Sequence, residues 1–95
     1  MCGIVFEWDR RKDSVNRRKH AVGFAEASTV FDDPLSITIP DPDQAIDEER
    51  FVIIGMSRNR SLLIVVHTIG GERTRLISAR SATKHERRKY EETSL

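Results

Sequence analysis

Cys2 is the only cysteine, so no disulfide can form within the chain, and the composition fits a reducing compartment. The usual zinc sites are excluded on the same ground. They need paired cysteines or closely spaced histidines, and His20, His67 and His85 are scattered along the sequence. Long apolar runs are missing too: the longest, Leu62 to Val66, is far too short to span a bilayer. Met1 to Phe6 has neither the basic start nor the apolar stretch of a signal peptide. These absences predict a cytoplasmic protein with no membrane partner. Glycine (five) and proline (three) are too few for a fibrous or disordered class, and no internal repeat or low-complexity tract occurs. With 95 residues, 38% of them hydrophobic, the chain makes one domain, residues 1–95, with a modest core and little margin of stability.

Basic residues are absent from a long central stretch. Residues 26–49 hold no Lys or Arg, only the eight acids Glu26, Asp32, Asp33, Asp41, Asp43, Asp47, Glu48 and Glu49. Residues 10–19 carry six basic residues against Asp13, and residues 50–90 carry ten against Glu72 and Glu86, so the net charge of +1 hides a strong segregation. Unless folding interleaves these blocks, such a surface steers a polyanion to one side and offers an acidic patch elsewhere. The acidic run Asp41 to Glu49 lies in a proline-containing loop without His or Cys. It reads as a solvated loop or as a surface for a basic partner rather than as a metal cage. No metal and no cofactor is expected.

The pattern of apolar residues gives the order β, α, α, four β, α. Gly3 to Glu7 is a short strand, and Asp9 caps a polar helix over Arg10 to His20, in which Asp13 and Arg17 pair at i,i+4. Val15, with the flanking Trp8 and Val22, is expected to anchor that helix. A second helix over Phe24 to Phe31 puts Phe24, Ala27 and Phe31 on one face and stops before Pro34. Leu35, Ile37 and Ile39 alternate with Ser36 and Thr38 as a half-buried strand closed by Pro40. Three strands follow in meander spacing, Arg50 to Ser57, Ser61 to Thr68 and Arg73 to Arg80, joined by short turns that demand antiparallel neighbours. The continuously apolar Leu62 to Val66 predicts a middle strand covered on both faces. Thr83 and Glu86 form a capping box that opens the last helix. The fold class is therefore α+β: two N-terminal helices, an antiparallel sheet of four to five strands, and one C-terminal helix.

Charge concentrates at the end of the chain. Strict alternation sends Arg73, Arg75, Ile77 and Ala79 to one face of the last strand and Thr74, Leu76, Ser78 and Arg80 to the other. Arg80 then emerges beside a helix bearing Lys84, His85, Arg87, Arg88, Lys89 and Tyr90. Guanidinium groups on a rigid sheet suit bidentate binding of phosphate. The plainer alternative is a solvated basic face with surface ion pairs.

Eight stretches carry a more specific signal: FEWD at 6–9, RKH at 18–20, VFDDP at 30–34, IPDPD at 39–43, DEERF at 47–51, VVHT at 65–68, RLISAR at 75–80 and ERRKYEE at 86–92. In this order and spacing they resemble the BrnT family, ribonuclease toxins of bacterial type II toxin-antitoxin pairs within the RelE-like group of messenger-RNA interferases. The resemblance implies a RelE-like fold, RNA cleavage, and a cognate BrnA-like antitoxin with a ribbon-helix-helix DNA-binding part. A dimeric antitoxin of that kind implies a hetero-oligomer holding at least two toxin chains.

Cleaving RNA without metal needs a base for the ribose 2′-hydroxyl, cations for the phosphorane and an acid for the leaving 5′ oxygen. His67, ending the apolar middle strand, is the leading acid-base candidate beside Arg80, although a strand-end histidine can simply complete hydrogen bonds. Lys19 and His20 are further candidates that also suit the negative end of a helix dipole. Arg50 and Arg75 are placed on RNA backbone, or else on Glu48, Glu49 or Glu72, and Arg87 and Arg88 on RNA as well. The resemblance gives Tyr90 a place in the active groove, whereas packing alone makes it the pin of the last helix. Trp8, Phe24, Phe31 and Phe51 are assigned to the core, with Trp8 also able to stack a base. A non-catalytic nucleic-acid-binding module, or an interaction subunit using the acidic loop, would share the basic face but need no aligned acid and base.

Overall fold

The structure, a computed structural model, describes residues 4–42 and 49–93. Its elements are β1 (Val5–Glu7), α1 (Arg10–His20), α2 (Phe24–Ser28), a 3-10 turn (Thr29–Asp32), β2 (Ile37–Pro40), β3 (Arg50–Met56), β4 (Leu62–Gly70), β5 (Arg73–Ser81) and α3 (Lys84–Thr93). The five strands form one sheet in the order β1-β5-β4-β3-β2. The β2 to β5 neighbours are antiparallel, as the short turns require for β3, β4 and β5, and β1 adds one parallel pair on the outer edge of β5.

α1 starts where the sequence places it, because the Asp9 carboxylate accepts from the amides of Arg11 (2.7 Å) and Lys12 (3.3 Å). Its anchor is not Val15, which is 44% exposed, but Asn16, which is 6% exposed. The Asn16 amide donates to the carbonyls of Val22 (2.9 Å) and Ala79 (2.7 Å), and its oxygen accepts from the Ala79 N–H at 3.2 Å. β1 covers β5 only from Arg73 to Arg75. Beyond that point β5 would be a bare edge, and the side chain of Asn16 supplies at Ala79 the donor and acceptor that a missing strand would have given.

The expected second helix is shorter than the apolar spacing suggests. α2 ends at Ser28, where the hydroxyls of Ser28 and Thr29 bond back to the carbonyls of Ala25 and Glu26, and the chain tightens into the 3-10 turn. Phe24 and Ala27 are buried; Phe31 packs edge-on against Phe6 with ring centroids 5.0 Å apart. The turn presses onto β3 at Gly55, where an added Cβ would meet the Val30 carbonyl oxygen at 3.1 Å. One face of the sheet carries Ile53, Leu63, Val65, Leu76 and Ala79 against Val22, Phe24, Ala27 and Val30, and this is the core.

β4 is buried on both faces, as its unbroken apolar run predicts. β2 departs from expectation: it lies at the sheet edge, and Leu35 and Ile39 are exposed, Ile39 by 52%. The larger departure is in β5. Its register with β4 slips between Val66 and His67, so that Val66 faces Ser78, His67 faces Leu76, and Ile77 is an extra residue. Alternation therefore changes phase in mid-strand. Arg73, Arg75 and Arg80, divided between faces by strict alternation, all stand on the face away from the core.

Candidate nucleic-acid interface

Register alone defines this far face. One row runs Arg50, Thr68, Arg75 across β3, β4 and β5; the next runs Ile39, Val52, Val66, Ser78; the third runs Ile37, Ile54, Ile64, Arg80. Arg50 and Arg75 flank Thr68 with two strand spacings between them, roughly 10 Å. Glu7 of β1 is in register with Arg75 and lies 4.0 Å from Arg73. α3 crosses the third row, and with the aliphatic side chains of β2, β3 and β4 it encloses a groove of about 230 Å³ rimmed by Glu86, Lys89 and Thr93. The result is an aliphatic floor with arginines at one end and a basic helix along one side.

α3 is held in place by two polar locks. Glu86 takes both nitrogens of the Arg80 fork at 2.8 Å each and also accepts from the Thr83 N–H at 2.8 Å, while the Thr83 hydroxyl accepts from the Glu86 N–H at 3.2 Å, completing the capping box. The Arg80 hydrogen bonds pull the Glu86 carboxyl from 4.5 down to about 2, against the opposing effect of burial. At the other end of the helix the Tyr90 hydroxyl donates to Asp33 Oδ2 at 2.6 Å. The same carboxylate accepts from the amides of Met56 and Leu35, so it ties α3 to the start of β2 and the end of β3. Burial and the negatively charged Asp33 push the Tyr90 hydroxyl up to about 12. Burial works to raise Asp33, but the Tyr90, Met56 and Leu35 hydrogen bonds outweigh it and lower its pKa. Arg80 and Tyr90 thus fix a helix rather than stand open to a ligand.

His67 and Arg80 do not share a groove. His67 is 1% exposed and lies on the core face, with Phe31 edge-on at 4.8 Å and Phe51 tilted at 6.1 Å. Its Nδ1 is 3.4 Å from the Val65 carbonyl. Burial lowers its pKa below the ordinary 6.5, which keeps the imidazole neutral at pH 7. Arg80 is on the other face and some ten ångströms further along the sheet, at about 3.3 Å per residue. The strands run antiparallel, so the C-terminal ends of β4 and β5 lie at opposite ends of the sheet.

Lys19 and His20 are exposed at the end of α1, and both border a depression of about 380 Å³ that also touches Ile77 and Ser78. Ser78 belongs to the far face, in the row beside Arg75. The two ends of the candidate site therefore meet around the uncovered edge of β5. Arg87 and Arg88 are exposed on α3 and are not among the residues that line the groove. Sequence reasoning did not find Thr68, which only cross-strand register puts between two cations, or Ser78, which only packing brings beside the cations of α1, and it did not find Asn16 or Asp33, whose partners lie far away in sequence. Most of the acidic run falls at residues 43–48, outside the described residues.

A crystal structure of the Brucella abortus ribonuclease toxin BrnT superposes with a TM-score of 0.61 at 24% identity, covering 85% of this chain and 97% of that one, and so shares the fold. No curated protein matches. A family described as "Ribonuclease toxin, BrnT, of type II toxin-antitoxin system" matches residues 8–86. That family, matched over most of the chain, is one of ribonuclease toxins of the type II toxin-antitoxin class. Within that class, the chain belongs to the BrnT family. No helix among the described residues is long and apolar enough to cross a membrane.

Proposed function

We propose that this chain is a cytoplasmic, metal-independent endoribonuclease that inhibits growth, with single-stranded RNA lying on the far face of the sheet across Arg50, Thr68 and Arg75. The row of two guanidinium groups about a hydroxyl, on a face that α3 leaves partly open, carries this reading. Arg50 and Arg75 bind the phosphate undergoing attack and offset the charge of the phosphorane. The 2′-hydroxyl loses its proton to a base as its oxygen attacks phosphorus, the bond to the 5′ oxygen breaks, and that oxygen takes a proton. Lys19 and His20, exposed where α1 borders Ser78 in the neighbouring row, serve this proton transfer. Arg87 and Arg88 add contacts to the RNA backbone. Arg80 and Tyr90 hold α3 in place, and His67 is a core residue.

The partner is a BrnA-like antitoxin whose ribbon-helix-helix dimer brings at least two toxin chains into one assembly. A second reading, a nucleic-acid-binding module without catalysis, draws support from the separation of His67 and Arg80. Incubating a short RNA with the purified chain in excess EDTA decides between them. Cleavage leaving a 2′,3′-cyclic phosphate, abolished in a folded R50A/R75A variant, is the expected result. Strict magnesium dependence with a 3′-hydroxyl product would overturn the mechanism, and binding without cutting would favour the second reading.

A further inference from the structure

α1 is far more basic than its packing requires. Arg11, Lys12, Lys19 and His20 lie along the flank that faces the open edge of β5, with no acid among the residues that line the depression there. Asp13, the one acid of the helix, is engaged elsewhere: it accepts from the Phe24 N–H at 2.8 Å and lies 3.7 Å from Arg17. Between the cations the surface is apolar, formed by Val15, which is well exposed, and by half-buried Ile77, the extra residue of the bulge. The Asn16 clamp fixes the helix against β5, so these charges stand on a rigid element rather than a loop. Arg11 and Lys19 are eight residues apart, about 12 Å along the helix axis.

We infer that this flank of α1 is a second binding surface for single-stranded RNA, continuous with the Arg50 to Arg75 row around the bulge at Ile77 and Ser78. The inference rests on the proposed RNA-cleaving reading and extends it to the substrate's length: nucleotides beyond the cleaved bond run along α1. Two features favour a single strand over a duplex. The apolar floor of Val15 and Ile77 suits the face of an unstacked base, which a duplex does not present. The path also bends sharply around a strand edge, from the far face toward the helix side, and a flexible single strand follows such a bend where a stiff duplex does not.

The test compares wild type with an R11A/K12A variant and with R11K/K12R, which keeps both charges. Neither substitution touches the core, and the Asp9 cap bonds backbone amides, so both variants fold; matched melting curves check this. Binding of a 20-nucleotide unstructured RNA is titrated at several salt concentrations, and cleavage of a tetranucleotide and of the 20-mer is timed. For R11A/K12A the slope of log K against log salt for the 20-mer becomes shallower by about 1.4, at roughly 0.7 for each single-strand phosphate no longer neutralised. The weakening is confined to the 20-mer, and R11K/K12R restores wild-type behaviour. Equal losses on both RNAs, or none on the 20-mer, would overturn the inference, as would a loss seen with duplex DNA alone. If wild type cuts neither RNA yet the shallower slope appears, the cleavage reading fails and the α1 surface stands.

Discussion

Replacing Asn16 with leucine tests the account of how α1 is attached. Leucine has nearly the shape of asparagine but can neither donate nor accept, so the substitution strands the Ala79 N–H and the carbonyls of Ala79 and Val22 in a site only 6% exposed. Three hydrogen bonds at about 1 kcal/mol each, with a desolvation penalty for the groups left unpaired, give a loss of about 3–5 kcal/mol. Domains of this size hold only about 5–15 kcal/mol in total, so the melting temperature should fall by roughly 15–30 °C. Urea unfolding followed by circular dichroism measures the change, and an unaltered slope against denaturant would show that the folded state remains compact. Val15→Ala is the control, because sequence periodicity makes Val15 the anchor and the structure leaves it in solvent. A loss below about 1 kcal/mol for Asn16→Leu, or a larger one for Val15→Ala, would refute the edge-clamp argument.

Glu86 gives a pH dependence of known sign. Its folded pKa of about 2 lies below the ordinary 4.5, so the stability it contributes is present above 4.5 and is lost as pH falls toward 2. The Arg80 side chain is 42% exposed, and with that screening the contribution is only about 1–2 kcal/mol. The stability difference between wild type and Glu86→Gln should be of that size at pH 6 and shrink by pH 3; a gap independent of pH would remove the Arg80–Glu86 lock from the explanation. For His67 burial lowers the folded pKa, so the folded state resists protonation and loses stability as pH falls below about 6.5. His67→Phe should abolish that part of the acid sensitivity and leave RNA cleavage unchanged. An imidazole that titrates at its ordinary value by NMR, or a folded His67→Phe protein that no longer cuts RNA, would contradict the core assignment.

Local chemistry was legible in the sequence. Asp9 capping α1, the Thr83–Glu86 box opening α3, the double burial of β4 and the meander of β3, β4 and β5 each follow from interactions between residues near in sequence or from unbroken apolar runs. The capping residues act within one turn of helix, so spacing suffices to find them. What could not be read depends on register or on distant partners. The 3-10 tightening after Ser28 is set by hydroxyls competing for backbone carbonyls, and the exposure of Ile39 follows from β2 lying at an edge, a position that Pro40 permits but does not by itself fix. Arg50 and Arg75 were identified as cations, but only the pairing of three strands shows that Thr68 lies between them. The burial of His67 is not legible either, because Phe31 and Phe51, which pack against it, come from elsewhere in the chain.

The bulge at Ile77 explains more of the site than any single charged residue. Without the extra residue, strict alternation would put Arg73 and Arg75 on one side of β5 and Arg80 on the other, and one set would have to enter a core built of Leu63, Val65 and Val30. Burying an unpaired guanidinium there costs several kcal/mol, a large fraction of what such a domain holds. The bulge lets Leu76 and Ala79 both point into the core while all three arginines stay outside. It also falls just past the end of β1, where Asn16 has taken over the strand edge. One irregular residue therefore sets three things together: the side on which the arginines stand, the path by which α1 meets them, and the apolar step at the corner between the two surfaces. A regular strand of the same composition would carry the same charges and could not bring them to one face.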